Sequence, residues 1–224
     1  MGMETQGFVD SVIQEIIQPG VRELMESRYF SELQEGKLSI RRLQGFALQH
    51  YLHNVALVKG FALCMVKNAH DAELYKHFSY QFNEEQYHPD LAKRFGLALG
   101  LKEEDFVNAT PIFECLAHTS AVIRGMFLGS PAENRTSALV NETMVCRYAE
   151  EFDVHLRKHY GLTDESCEFF SVHQIADQKH TQMAAEVIVR YATSPREQQA
   201  VRETARQMVR FKLAKFEGIY RSYA

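Results

Sequence analysis

The sequence predicts an all-α protein that folds as a single domain, residues 1–224, of seven or eight helices. Apolar residues recur at intervals of three and four, which places them along one face of a helix. The alternating patterns typical of strands are missing, as are the turn dipeptides Asn-Gly and Asp-Gly. Proline and glycine, the usual helix breakers, number only 5 and 12, and most of them fall at plausible helix ends.

The first half of the chain divides at glycines and at one capping serine. Gly20, Gly36 and Gly100 are predicted to stop helices or to make turns. Ser39 is a candidate N-cap, and the helix after it carries an apolar stripe made of Leu43, Phe46, Ala47, His50 and Tyr51. The helices predicted for this half are 5–18, 21–34, 39–67, 71–99 and 103–107.

The second half has the clearest helix starts. Ser130 and Ser194 each precede a proline at the first helical position and a glutamate three residues after the serine, which is a capping box. Thr110 before Pro111 is a weaker version, and Gly161 is predicted to end a helix. The helices predicted here are 111–128, 131–160, 164–192 and 195–222.

Composition excludes several classes of function. A formal net charge of -4 and a pI near 6.2 give no basic surface for nucleic acid. Apolar runs are broken by charge well before bilayer length, and no signal peptide is visible. The four cysteines are widely separated, which suits reduced thiols in a cytosolic protein. We therefore expect a soluble cytoplasmic protein with neither a nucleic-acid nor a membrane partner.

The most informative motif is an H-x3-D-x2-H pattern made by His173, Asp177 and His180. Residues three, four and seven apart share one face of a helix, so these side chains are predicted to converge. Two imidazoles and a carboxylate aimed at one point suit a divalent first-row metal ion. The alternative is an exposed polar face, because Gln174, Gln178 and Lys179 lie on the same helix.

A second candidate is the segment that ends at His88. Glu85 and His88 form an E-x-x-H pair, and Glu84 with His88 makes the same pairing at a spacing of four. Helical-bundle di-iron carboxylate proteins present a glutamate and a histidine in this way. Pro89 removes the N–H that would bond the carbonyl of residue 85, so we expect a kink that leaves open which glutamate points inward. An ordinary solvated charge pair is the alternative.

The third candidate is Glu142, the one acid in a mostly apolar stretch, 137–148. Burying a carboxylate costs several kcal/mol unless it is paired or metal-bound. The alternatives are an exposed residue or a salt bridge to an arginine. Together the three candidates offer three histidines and three carboxylates from three helices. Such a nitrogen and oxygen donor set suits iron or manganese with open positions, and its three carboxylates balance the charge of two divalent ions.

The order and separations of these residues resemble the di-iron branch of the haem-oxygenase-like fold. That superfamily includes thiaminase II (TenA), the pyrroloquinoline-quinone synthase PqqC and the chlamydial protein associating with death domains. The di-iron branch carries a Glu…His pair on one helix, a lone Glu on a later one and then H-x3-D-x2-H; here those are Glu84 or Glu85 with His88, Glu142, and His173, Asp177 and His180. The resemblance covers nearly the whole chain, from Glu35 to His180.

The resemblance implies two bound Fe ions, with Mn as the other candidate, O2 as co-substrate, and a homodimer. The reaction it implies is N-oxygenation, desaturation or oxidative C–C cleavage of a small amino-acid-like or fatty-acid substrate. The chlamydial protein is thought to sacrifice its own tyrosine and a lysine to make p-aminobenzoate. The matching positions here are Phe30, Phe46 and Phe152, which disfavours that chemistry.

Two other functions stay open at this point. A metal-free TenA/PqqC-like enzyme acting on a thiamin-related or other heterocyclic metabolite would use Glu142 as a catalytic acid–base residue, with Cys146 one turn later. A non-enzymatic helical interaction protein would instead spread the candidate ligands over its surface. The three functions differ in whether the candidate residues converge.

Overall fold

The computed structural model describes the backbone of residues 2–224 and the side chains of residues 6–174 and 179–224. Every regular element in this part of the chain is helical, which confirms the predicted fold class. The helices are α1 (Gly2–Val12), α2 (Gln18–Met25), α3 (Arg28–Gln34), α4 (Ile40–Lys67), α5 (Ala72–Glu85), α6 (His88–Ala98), α7 (Glu103–Val107), α8 (Phe113–Leu128), α9 (Pro131–Tyr160), α10 (Asp164–Tyr191) and α11 (Pro195–Ser222), with a π-helical turn at Ile13–Ile17 between α1 and α2.

The predicted caps of the longest helices are present. The Ser130 side chain accepts a hydrogen bond from the Glu133 N–H, and the Glu133 carboxylate accepts one in return, so both ends of the box are satisfied. The same exchange links Ser194 with the glutamate three residues later. At the other end of α9, Gly161 has a φ of 66°, the left-handed conformation that glycine adopts without steric cost.

The predicted stop at Gly20 is wrong. Helical structure runs through this glycine to Met25, and the chain turns only at Glu26 and Ser27. A Cβ at position 20 would lie 2.3 Å from Cγ1 of Val209 on α11. Gly20 therefore serves close helix packing, not a turn, and that need is invisible in the local sequence.

The predicted segment 71–99 divides into two helices. Gln86 closes α5 by donating its N–H to the Phe82 carbonyl, and α6 begins at His88 with Pro89 in its first turn. Proline lacks an N–H and is tolerated where the first helical N–H groups have no partner anyway. The expected kink is thus a complete break, and it lies between the glutamates and His88.

The core sits between α9, α10 and the helices that pack around them. α10 packs along α9, while α4, α6, α8 and α11 close the sides. Beneath the candidate ligands lies an aromatic cluster that includes Phe30, Phe46 and Phe152, with Phe152 stacked on Phe170 at a centroid distance of 4.6 Å. Among the described residues, no helix is long and apolar enough to cross a membrane.

Candidate metal centre

Three buried side chains from three different helices converge on one point. Glu85 ends α5, Glu142 lies within α9 and His180 lies in the second half of α10. One carboxylate oxygen or imidazole nitrogen from each lies within 4.8 Å of those of the other two. His180 Nδ1 is 3.7 Å from a Glu85 oxygen and 3.8 Å from a Glu142 oxygen. This convergence contradicts the expectation of an interaction protein with these residues scattered over its surface.

His88 joins this group across the break between α5 and α6. Its Nδ1 lies 2.6 Å from a Glu85 carboxylate oxygen, and both side chains are buried. Burial by itself lowers the pKa of His88, but the neighbouring carboxylates of Glu85 and Glu142 together outweigh burial and leave that pKa raised. The pair is therefore a tight, desolvated carboxylate–imidazole contact and not the solvated charge pair that was the alternative.

The two candidate glutamates occupy different environments. The Glu85 side chain is 6% exposed, whereas that of Glu84 is 41% exposed. Glu84 still reaches the centre from outside, since its carboxylate lies 3.8 Å from His180 Nε2. The structure therefore brings Glu85 into the buried set and leaves Glu84 at its rim.

His173 lies beside His88, with ring centroids 4.4 Å apart. Its Nδ1 lies 2.5 Å from the Phe169 carbonyl one turn earlier, so Nδ1 donates its hydrogen there. Nε2 is then left with the lone pair that a metal ion requires, because the hydrogen bond of one ring nitrogen sets the tautomer. Burial, followed by the neighbouring His88, lowers the pKa of His173 to about 4 and keeps its ring neutral.

The remaining residues of H-x3-D-x2-H are His180, already placed, and Asp177. Asp177 falls within α10, but its side chain lies outside the described residues. His180 is fully buried, and although burial lowers its pKa, the carboxylates of Glu142, Glu85 and Glu84 raise it above the ordinary value. An imidazole surrounded by carboxylates in this way sits in a field that attracts a cation.

The donor set fits a metal ion such as iron. Buried carboxylates are costly unless a cation compensates their charge, and here two of them share one buried point. The donors are carboxylate oxygens and imidazole nitrogens, a combination suited to iron and manganese. The described members are Glu85, His88, Glu142, His173 and His180.

Arg135 is a buried cation near this centre that the sequence reasoning missed. It donates to Gln81 from α5 and, at 2.7 Å, to Asn134. Burial lowers the pKa of Arg135 to about 10, while the nearby carboxylates of Glu142 and Glu85 act in the opposite direction. Arg135 stands seven residues before Glu142 and so shares its helical face. That seven-residue spacing from Glu142 was the available signal.

A small internal cavity opens beside Glu142. Its volume of about 30 Å³ is enough for about two water molecules. The polar lining comes from α4 and α9, whereas the apolar lining comes mostly from α4 and α8: His53, Leu57, Phe61, Val122, Met126, Asn134, Arg135, Ser137, Ala138, Asn141 and Glu142. A molecule the size of O2 fits in this space next to a candidate ligand.

Solved structures with the same fold include a domain of unknown function with a haem-oxygenase-like fold from Shewanella denitrificans. It superposes with a TM-score of 0.85 at 16% identity, covering 96% of this chain and 93% of that one. A TenA homologue from Pseudomonas syringae gives a TM-score of 0.84 at 13% identity with the same coverage. At these identities the likeness establishes the haem-oxygenase-like fold alone.

Proteins related to this chain in sequence are named for one enzymatic activity. A 4-aminobenzoate synthase from Nitrosomonas europaea is 29% identical over 96% of this chain and 90% of its own length. A 4-aminobenzoate synthase from Chlamydia pneumoniae is 24% identical over 75% of this chain and 76% of its own length.

A comparison with sequence profiles of protein families identifies the family of this chain. Residues 44–213 match the sequence profile of a family described as iron-containing redox enzymes, and this range includes every candidate ligand from Glu84 to His180. The profile match, the haem-oxygenase-like fold and the buried donor set agree with one another. The chain belongs to the haem-oxygenase-like family of iron-containing redox enzymes.

Proposed function

We propose that this protein is a non-haem di-iron oxidoreductase that activates O2 to oxidise a small organic substrate. The observation that carries the proposal is the convergence of Glu85, Glu142 and His180, buried, from three helices. Collecting carboxylates at a buried point costs the fold free energy, because each charge must be removed from water. A bound cation is the simplest reason for their position.

We propose two ions because the donor residues form two groups. Glu85 belongs to one set with Glu142 and His180, and through its 2.6 Å contact with His88 it belongs to a second set with His88 and His173. Glu85, Glu142 and His180 would hold one ion, and Glu85, His88 and His173 would hold the other. Asp177 is proposed as a further ligand from its position in the H-x3-D-x2-H motif.

Bound iron supplies the redox chemistry with O2, and the protein controls where it takes place. His173 keeps Nε2 free by donating from Nδ1 to the Phe169 carbonyl, which also fixes the orientation of its ring. The buried guanidinium group of Arg135 offsets part of the negative charge of the Glu142 and Glu85 carboxylates. The cavity beside Glu142 is narrow, with room for about two water molecules, and the Glu142 carboxylate faces it as the proposed acceptor of a substrate proton.

The reaction class stays within the three outcomes that the sequence predicts: N-oxygenation, desaturation or oxidative C–C cleavage. The relatives named 4-aminobenzoate synthase favour an amino-acid-like substrate or an aromatic amine product within that range. We therefore propose 4-aminobenzoate as the first product to be assayed, formed from an added substrate and not from a side chain of the protein, because Phe30, Phe46 and Phe152 disfavour the self-sacrificing route.

The metal-free TenA/PqqC-like alternative is less well supported. It would use Glu142 as its acid–base residue, and its thiaminase-like form would also use a reactive thiol, for which Cys146 is the nearest cysteine to Glu142 in the sequence. Burial raises the pKa of Cys146, and its thiol donates to the Gln174 carbonyl at 3.7 Å. A thiol with a raised pKa supplies little of the thiolate that acts as nucleophile.

Metal analysis and O2 consumption test the proposal. We expect the anaerobically loaded protein to hold two iron ions per chain and to consume O2. Glu85→Gln and His180→Asn should weaken iron binding by at least about tenfold. Matched controls are Glu84→Gln, at the rim of the centre, and Glu150→Gln, exposed on α9; both should keep their iron. Iron content that is the same in all four variants would refute the proposal. Loading with Mn in parallel identifies the metal that supports O2 consumption.

We also propose that the protein is a cytoplasmic homodimer whose domain spans residues 1–224. Light scattering on the purified full chain tests the dimer, and a mass equal to one chain at micromolar concentration would overturn it.

A further inference from the structure

Arg135 on α9 is a buried cation whose hydrogen-bond partners are all neutral. It is only 1% exposed, and among the described residues it forms no ion pair with a carboxylate. Its guanidinium donates to the side-chain oxygens of Gln81 and Asn134 and, at 3.1 Å, to Nε2 of His77. Burial, followed by the Arg135 charge, lowers the pKa of His77 to about 3, so that ring is neutral. Arginine is almost never fully buried without a charged partner, so Arg135 needs an explanation.

One donor of this guanidinium group has no acceptor. In the part of the chain that the structure describes, the Arg135 Nε–H makes no hydrogen bond. The other two nitrogens are held by the neutral acceptors, and the ring of Phe78 lies 4.8 Å from Cζ. Buried polar groups are nearly always hydrogen-bonded, and each exception points to a function or to a missing partner. Arg135 is thus held in one orientation with a donor still available.

Arg135 lines the internal cavity beside Glu142 and is the one charged donor in that lining. His53, on another wall, is neutral because burial, followed by the nearby Lys215, lowers its pKa well below the usual value. Three further side chains of the lining already donate to acceptors elsewhere: Asn134, Ser137 and Asn141. A ligand that accepts a hydrogen bond in this cavity therefore has Arg135 as its natural partner.

The size of the cavity restricts what that ligand can be. Its volume of about 30 Å³ holds about two water molecules, which is room for an ion as small as formate. A longer carboxylic acid does not fit without displacing the lining.

The charge of the iron-loaded centre favours an anion in this space. The proposed carboxylate ligands Glu85, Glu142 and Asp177 carry less negative charge than two divalent ions carry positive charge, and Arg135 adds a further positive charge. In the metal-free chain the carboxylates of Glu142 and Glu85 instead offset part of the Arg135 charge, and Glu142 faces the cavity. An anion should therefore enter only when the metal ions are bound.

We infer that Arg135 and the internal cavity form a binding site for a monoanion of the size of formate, and that this anion occupies the space beside Glu142 that O2 would enter. This inference rests on the proposed function, because the bound iron ions supply part of the positive charge. The anion compensates the buried guanidinium charge and accepts the hydrogen bond from Nε, and charge-assisted hydrogen bonds of this kind are about twice as strong as neutral ones. Such an anion would inhibit the protein by competing with O2.

Calorimetric titration of the iron-loaded full chain, kept anaerobic in a chloride-free buffer, tests the inference. The probes are formate, its neutral counterpart formamide, and butyrate, which carries the same charged group on a chain too long for the cavity. We expect formate to bind more tightly than either, and we expect removal of the iron to weaken its binding.

Two variants test the charge and the space separately. Arg135→Gln should weaken formate binding by about ten- to hundredfold, since a hydrogen bond to a charged group is lost. Ala138→Leu, on α9 between Arg135 and Glu142, fills the cavity and should weaken formate binding to a similar degree. The matched control is Arg147→Gln on the same helix, whose side chain is 41% exposed and which should bind formate as the unaltered protein does.

Formate that binds equally to Arg135→Gln and to the unaltered protein would overturn the inference, because the anion would then lie on the metal or elsewhere. Butyrate or formamide that binds as tightly as formate would overturn it too. If Arg135→Gln does not fold, as judged by circular dichroism, or loses its iron, Ala138→Leu decides by the same criterion.

Oxygen consumption supplies a second readout on the same samples. Formate should raise the KM for O2 and leave kcat unchanged, whereas a lowered kcat at constant KM would show that the anion and O2 do not share the cavity. Formate binding that ignores Arg135 in a chain that still holds iron refutes only the anion site. A chain that binds no iron refutes the proposed function and the inference with it.

Discussion

Lys215 lies on α11 and is only 1% exposed, so replacing it by methionine should measure what a buried charge costs this fold. The pKa of Lys215 is lowered from 10.5 to about 8. At about 1.4 kcal/mol per pH unit, this difference corresponds to about 3 kcal/mol of destabilisation by the charged form. Methionine has a similar length and no charge, so it removes that cost. It also removes the contact with His50, a loss of about 1 kcal/mol that does not depend on pH in this range.

The sign of the pH dependence follows from the direction of the shift. Below about pH 8 Lys215 is charged in both the folded and the unfolded protein, so the full cost is present. Between about pH 8 and 10.5 the unfolded protein binds more protons at this position than the folded one, and stability therefore rises with pH. Lys215→Met should accordingly be more stable than the unaltered protein by about 2 kcal/mol near pH 7, and this advantage should vanish or reverse near pH 10.

Urea unfolding of the metal-free full chain, followed by circular dichroism at about pH 7 and about pH 10, measures this difference. Other titrating groups are the same in both proteins and cancel in the comparison. Lys59→Met, exposed on α4, is the control and should differ little from the unaltered protein at either pH. A difference in unfolding free energy between Lys215→Met and the unaltered protein that is the same at both pH values would refute the reasoning.

Three further predictions concern the fold. Gly20→Ala should destabilise the protein by about 1–3 kcal/mol, because its Cβ would lie 2.3 Å from Val209, and Val209→Ala in the same chain should restore most of the loss in a thermal melt. Phe152→Ala should cost about 3–5 kcal/mol in urea unfolding, whereas the exposed Phe127→Ala should cost little; similar losses would contradict the central position of the aromatic cluster. Ser194→Ala should cost about 1 kcal/mol by removing the cap of α11, and an unchanged melting temperature would contradict this.

The helices were predictable from sequence wherever their ends depend on nearby residues. The starts of α9 and α11 were located correctly because a capping serine, a proline and a glutamate act within one turn. The prediction that a helix stops at Gly20 was wrong because this glycine is needed for close packing against a valine on a distant helix. The local sequence contains no pattern from which such a contact could be predicted.

The residues of the candidate site were likewise predictable only where their position depends on local spacing along a helix. The spacing of His173, Asp177 and His180 assigned them to one helical face. The choice between Glu84 and Glu85 was not accessible, because adjacent residues point in different directions and the helix breaks directly after them. The buried position of Glu85 is a property of how α5 packs, and so it appears only in the folded molecule.

The sequence by itself determined the all-α class, most helix boundaries and the residue types that can hold iron, because capping, helical periodicity and ligand chemistry are local properties. The tertiary structure alone decided which of these residues meet. It brings Glu85, Glu142 and His180 to one point, and it sets Lys215 against His50, 165 positions away in the chain. The physical reason is that packing, not local preference, selects which side chains are removed from water together, and burial raises the free energy of a charged carboxylate or lysine that has left water.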